Sequence, residues 1–192
     1  MEHFYTLQGE GHYSGQAAYF IRLAGCDVGC HWCDVKESWT QGYPLYSSEE
    51  LSEFLTDIPT DLVVITGGEP LMHQLNPLCS ALHNIGKKLH IETSGAGTIS
   101  GEWDWFCLSP KKFKAPSAEA YQLANELKVI VYNKHDLDWA IHEAEKVGED
   151  CLLFLQPEWS REKEMLPLII YFIRLNPQWK VSLQTHKYMN IP

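Results

Sequence analysis

Seven apolar runs recur along the chain, and helical patterns fill most of the intervals between them. No other feature constrains the fold as strongly. The runs are AYFIRL (18–23), DLVVIT (61–66), KLHIET (88–93), DWFCLS (104–109), LKVIVY (127–132), CLLFLQ (151–156) and WKVSLQ (179–184). Rich in Val, Ile, Leu and Phe with little alternation, they suit strands covered on both faces. Among the helix candidates, residues 47–58 open with a capping box, Ser47 standing three before Glu50. Residues 75–86 end on Gly86 and residues 135–148 on Gly148, each a C′ glycine. Residues 160–175 stop before Asn176-Pro177, and Pro167 is expected to break or kink that helix. Strand-then-helix order means parallel strands joined by right-handed crossovers. The expected fold is α/β: a partial, open (β/α) barrel of about six parallel strands with about three well-formed outer helices. Residues 1–192 read as a single domain, long enough for a sizeable core.

The residues just past each strand point to a site. In order they are Ala24-Gly25-Cys26, TGGEP (66–70), ETSG (92–95), SPK (109–111), YNK (132–134), LQPE (155–158) and LQTHK (183–187). Glycine and polar residues thus gather at the carboxyl ends of the strands, where parallel α/β folds assemble their sites. A net charge of −10 argues against nucleic acid as the partner. No apolar run approaches the roughly 18 residues of a membrane span. The start, MEHFYTLQGEG, lacks the layout of a signal peptide. The expectation is a cytoplasmic protein with reduced thiols, whose six cysteines are ligands or small buried residues rather than disulfides.

Three of them, Cys26, Cys30 and Cys33, stand in a C-x3-C-x2-C array. Structural zinc takes four ligands, often as two separated pairs, and His31 between two ligands would strain the loop. A redox Cys-x-x-Cys pair leaves Cys26 unexplained. An iron–sulfur cluster held by three thiolates leaves one iron open, and open metal positions are where chemistry happens. Cys79, Cys107 and Cys151 fall on a helix face, inside a strand and at a strand start, and read as small buried residues. The ligand count favours the open cluster.

With Trp32 before the last cysteine, and with TGGEP after the second strand, the chain resembles the radical S-adenosylmethionine (SAM) superfamily. YTLQGEG (5–11), FIRLAGC (20–26), ETSG, SPK, LQP (155–157) and the closing LQTHKYMNIP extend the resemblance, over essentially the whole chain, to the 7-carboxy-7-deazaguanine synthase family. That resemblance implies a 4Fe–4S cluster on Cys26, Cys30 and Cys33, with SAM on the open iron. It implies hydrogen abstraction from C6 of 6-carboxy-5,6,7,8-tetrahydropterin by a 5′-deoxyadenosyl radical. Ring contraction and loss of ammonia then give 7-carboxy-7-deazaguanine, a queuosine-type precursor, with SAM regenerated. By the same resemblance Trp32, Gly67, Gly68, Glu69, Gly95, Ser109, Pro110, Lys111, Gln156, Pro157, Glu158 and Trp159 surround SAM. Leu7, Gln8, Gly9, Glu10, Arg22, Thr93, His186 and Pro192 face the substrate, so both terminal segments serve substrate binding. The chemistry of some of these residues agrees. Gln8 and Glu10 can read a pterin edge with paired hydrogen bonds, although LQGEG by itself also suits a tight polar turn. Arg22, in an otherwise apolar strand, is either a clamp on the substrate carboxylate or an exposed edge residue.

The resemblance also implies magnesium, a flavodoxin- or ferredoxin-type reductant and a homodimer. Asp34 follows the family pattern, but Val35 stands where the family commonly carries a threonine that ligates magnesium. A valine offers no oxygen to a hard cation, so magnesium dependence is expected to be weak. Two competitors remain: an activating enzyme for a glycyl-radical protein, and a non-catalytic iron–sulfur protein with a closed site.

Overall fold

The computed structural model describes residues 2–39 and 43–192. Its strands are β1 (Glu2–Leu7), β2 (Ala17–Leu23), β3 (Leu62–Gly67), β4 (Lys88–Thr93), β5 (Trp105–Leu108), β6 (Glu126–Val131), β7 (Leu152–Pro157) and β8 (Trp179–Val181). They form one eight-stranded sheet in chain order. β1 runs antiparallel to β2, and every later pair is parallel. The helices are α1 (Ser48–Thr56), α2 (Asn76–Asn84), α3 (Ala118–Leu123), α4 (His135–Ala144), α5 (Glu162–Leu175) and α6 (Thr185–Met189). The architecture is the partial (β/α) barrel expected, with all seven apolar runs as β2 to β8. Unforeseen are β1, α3 and α6. β1, EHFYTL, mixes polar and apolar residues on an edge and gives no continuous apolar run, while α3 and α6 are too short to show a period.

Each strand sends alternate side chains to opposite faces of the sheet. On the helix side, Val63, Ile65, Leu89, Ile91, Leu127, Val129 and Val131 are fully buried against Leu55 of α1, Leu82 of α2 and Ile169 of α5. The inner side is different. Ala18, Leu62 and Val64 make a small apolar patch, whereas His90, Glu126, Lys128 and Gln156 are buried polar residues. So β4 and β6 do alternate, apolar outward and, Ile130 apart, polar inward.

Local signals set most helix ends. Ser47 Oγ accepts from Glu50 N at 3.1 Å and Glu50 Oε2 from Ser47 N at 2.6 Å, which closes the capping box of α1. Gly86 takes φ +75° after α2, as a C′ residue does. One expectation fails, and of the two outcomes expected at Pro167 the break does not occur. α4 ends at Ala144, and Gly148 instead belongs to the turn into β7, its carbonyl accepting from Cys151 N at 3.0 Å. α5 runs unbroken through Pro167. Lys163, one turn earlier, is exposed, so water can satisfy the carbonyl that lacks the Pro167 N–H.

The turn between β1 and β2 closes the barrel's open side. Gln8 N donates to Gln16 O at 2.8 Å and Gly15 N to Gln8 O at 2.7 Å, pinching the turn. From it Gly11 N reaches Ser182 Oγ at 2.9 Å and His12 N reaches Glu126 Oε2 at 3.1 Å. Thr185 N, at the start of α6, donates to Gly9 O at 2.9 Å.

Beneath this turn, His90 lies 6% exposed against the rings of Tyr13 and Trp105, with centroids 4.4 and 6.1 Å away. Burial pulls its imidazolium down to about 4. Folded His90 therefore stays neutral through weak acid, while the unfolded chain takes up its proton near 6.5. Acid thus favours unfolding, and stability is lost as the pH falls between those two values. The expected His90 share is about 2 kcal/mol between pH 8 and pH 5. Urea unfolding at both pH values should show this difference in the wild type and lose it in His90→Phe.

Candidate active site

A cavity of about 260 Å³ opens at the carboxyl ends of the strands. The loop after β2 brings Cys26, Cys30 and Cys33 to its wall. The strand after α1 supports that loop closely. Gly68 N donates to Leu23 O at 3.0 Å and Glu69 N to Gly25 O at 2.8 Å. Gly67 sits at φ +139°, and a Cβ there would lie 2.1 Å from Leu23 O. A Cβ on Gly68 would lie 2.1 Å from Gly25 O and 3.0 Å from Cys26 Cβ. The paired glycines therefore let β3 end directly beneath the first cysteine.

All six cysteines are free, and Cys79, Cys107 and Cys151 are buried away from the cavity wall. Burial pushes the Cys30 thiol up, against the pull of the Lys111 ammonium. Among the described residues, no three Cys, His, Asp or Glu side chains converge on a single ion. A cluster offers each thiolate its own iron and needs no such convergence. The triplet fits that donor chemistry better than a zinc ion.

The next strand ends brace one another. Glu69 is 3% exposed; its Oε2 accepts from Ser94 N at 2.9 Å, and its Oε1 accepts from Leu71 N at 3.1 Å and from the Thr93 hydroxyl. Lys111 Nζ donates to Ser109 O and to Ser109 Oγ, the latter at 2.7 Å, and lies 5.8 Å from the Trp32 ring centre. Burial lowers the Lys111 ammonium. Gln156, Pro157, Glu158 and Trp159 line the next sector. Of the expected SAM residues, Gly95 and Pro110 are not on the cavity wall. Gly95, at φ +74°, packs behind it, where a Cβ would lie 2.5 Å from Leu108 Cδ1.

The expected substrate residues Leu7, Gln8, Gly9, Glu10, Arg22, Thr93, His186 and Pro192 all line the cavity, as does Val35. His186 packs on Gly9 so closely that a Cβ there would lie 2.2 Å from its Nδ1. Arg22 Nη1 pairs with Glu2 Oε1 at 2.9 Å. Asp34 Oδ2 accepts from Lys187 Nζ at 2.6 Å and from Gln184 Nε2 at 3.2 Å, tying the cysteine loop to α6. Sequence reasoning missed Glu92, Lys128 and Gln184, which share this wall, and Trp39. The indole N–H of Trp39 is buried without a hydrogen-bond partner among the described residues. A charged residue inside the apolar run LKVIVY was the available signal for Lys128.

Comparison with known proteins agrees with this geometry. The family model of the Radical SAM superfamily matches residues 20–100. The 7-carboxy-7-deazaguanine synthase of Flavobacterium psychrophilum is 55% identical over 100% of this chain and 91% of its own length. That of Synechocystis sp. is 51% identical over 99% of this chain and 91% of its own. The crystal structure of QueE from Escherichia coli superposes with a TM-score of 0.86 at 34% identity, covering 96% of this chain and 92% of that one.

The glycine support is open to test. Gly68→Ala should fold but push the first cysteine away, taking up at most about half of the wild-type iron on anaerobic reconstitution. Gly148→Ala, with nothing within 4 Å of the added Cβ, should keep the full load.

Proposed function

Because the chain belongs to the 7-carboxy-7-deazaguanine synthase family, and so is a radical SAM lyase that turns 6-carboxy-5,6,7,8-tetrahydropterin into 7-carboxy-7-deazaguanine with loss of ammonia, we propose how its residues divide that work. Cys26, Cys30 and Cys33 hold the three liganded irons of a 4Fe–4S cluster. With cluster and SAM bound, the site has hydrogen-abstracting radical chemistry available.

The protein's own share is binding and alignment. Gly67 and Gly68 allow close backbone approach to SAM, and Glu69 fixes the neighbouring strand end. Trp32, Ser109, Lys111 and the segment Gln156, Pro157, Glu158 and Trp159 form the remaining SAM contacts. Gly95 and Pro110 act by holding that wall in place. Gln8 and Glu10, with the backbone of Leu7 and Gly9, read the pterin edge, Thr93 and His186 flank it, and Pro192 completes the rim. Arg22 exchanges Glu2 for the substrate carboxylate, a bidentate match. The observation that carries this division is that the cysteine loop, the turn Leu7–Glu10 and His186 of α6 all line one cavity.

The cavity does not suit magnesium at the position of Val35. That side chain has no oxygen, and its carbonyl already accepts from Ser38 Oγ at 2.6 Å. The reductant in this reading is a small flavodoxin- or ferredoxin-type protein, and the active form is a homodimer. Exposed Leu168, Ile170, Tyr171 and Leu175 on α5 supply an apolar face for such pairing. No helix among the described residues is long and apolar enough to cross a membrane, in keeping with a cytoplasmic enzyme.

Anaerobically reconstituted protein, given SAM, a low-potential reductant and the carboxytetrahydropterin, should form a deazapurine chromophore with one ammonia per product and no net loss of SAM. SAM cleavage without deazapurine would refute the assignment. In the same assay magnesium should change the rate by less than about threefold. A strong dependence on the cation, left unaltered in Val35→Thr, would overturn the argument from the missing oxygen.

A further inference from the structure

Three charges meet on the cavity floor. Lys128 stands in the middle of β6 and is 3% exposed. Its Nζ lies 2.5 Å from Glu10 Oε2 and 2.9 Å from Glu92 Oε2. Gln184 Nε2 donates to Glu10 Oε1 at 2.8 Å, and Gln8 Nε2 donates to Glu92 Oε1 at 2.9 Å. Every carboxylate oxygen of the pair thus has one protein donor and keeps lone-pair capacity. The interior of a parallel barrel is ordinarily filled by branched apolar residues. Charges buried there add little stability over apolar residues of like volume, because desolvation offsets their attraction.

We propose that Lys128 is a positioning residue of the substrate pocket: its ammonium holds Glu10 and Glu92 as two ionised carboxylates facing the cavity, ready to accept the adjacent N–H donors of an aminopyrimidinone edge. The proposal rests on the pterin assignment. Two facing carboxylates without a cation between them repel, and one takes up a proton. A protonated carboxyl presents a donor where the pterin edge also donates. Burial by itself would raise the Glu10 carboxyl, but the neighbouring ammonium outweighs it and holds the group well below its ordinary value. The other titratable groups around this cluster are Cys107 on β5, Lys111 just past its end, Glu126 on β6 and His186 on α6. Burial keeps the Cys107 thiol up and the His186 imidazolium down, and the Lys111 ammonium is held on Ser109 O and Oγ, so none of them replaces the Lys128 charge.

The test uses cluster-loaded Lys128→Met. Its iron content and SAM affinity should stay within about twofold of wild type, while the KM for carboxytetrahydropterin rises at least about tenfold. That KM should climb further as the pH falls from about 8 to about 6, whereas the wild-type value stays flat. A role confined to folding would lower iron content and SAM binding together and leave the pH profile of the remaining enzyme unchanged. Should Lys128→Met fail to fold, Glu92→Gln removes one acceptor and keeps the cation paired with Glu10. Its KM should also rise about tenfold with SAM affinity retained. A KM within about threefold of wild type in the folded variant overturns the proposal alone. A wild-type enzyme that makes no deazapurine overturns the pterin assignment, and this proposal with it.

Discussion

Parallel strands laid down in chain order must each be reached by a crossover, and all the crossovers lie on one face of the sheet. That constraint governs the rest of the molecule. It sends the helices outward, exposes a single inner face and brings the carboxyl end of every strand from β2 to β8 to the same rim. The cysteine loop, the glycine pair, the Thr93 corner, Lys111 and Gln156 are far apart in sequence. They meet because each lies at the end of a strand, not because any one loop is built for the purpose. The first cysteine then depends on β3 ending in residues without side chains, so the metal-binding loop and the sheet cannot be adjusted independently.

The two faces of the sheet solve different problems. Outward, Val, Ile and Leu meet the helices and supply most of the apolar burial. Inward, the same strands carry His, Glu, Lys and Gln, which must find partners because water has limited access. They find them largely in one another: Gln8 with Glu92, Lys128 with both carboxylates, Ser182 Oγ with Gln156 Oε1 at 2.7 Å. A fold stable enough on its helix side can carry an inner face shaped for a ligand.

Much of this was legible in the sequence. The strand-then-helix order defined the barrel, and the spacing of Cys26, Cys30 and Cys33 with TGGEP defined one wall of the site. The inner floor was not legible. Reading the runs as covered on both faces hid the alternation in KLHIET and ELKVIV, which puts Glu92 and Lys128 inside. β1 was missed because an edge strand needs no apolar run, and α6 because its five residues are held by the turn at Gly9 and not by a period of their own. Gly148 and Pro167 show the limits of punctuation residues. A glycine can serve the next turn along, and a proline near the exposed start of a helix leaves its spare carbonyl to water.

The contacts between the β1–β2 turn and α6 also fix an order of assembly. Glu10 and Gln184 are 174 residues apart in the chain, and Asp34 and Lys187 are 153 apart. Such contacts form only when the intervening strands have already brought their ends together, since the entropy of closing so long a loop is otherwise unrewarded. The barrel and its cysteine loop can therefore mature first, with the substrate-facing wall added last. The wall that faces the substrate is drawn from both ends of the chain, so it closes only when the barrel between them is complete.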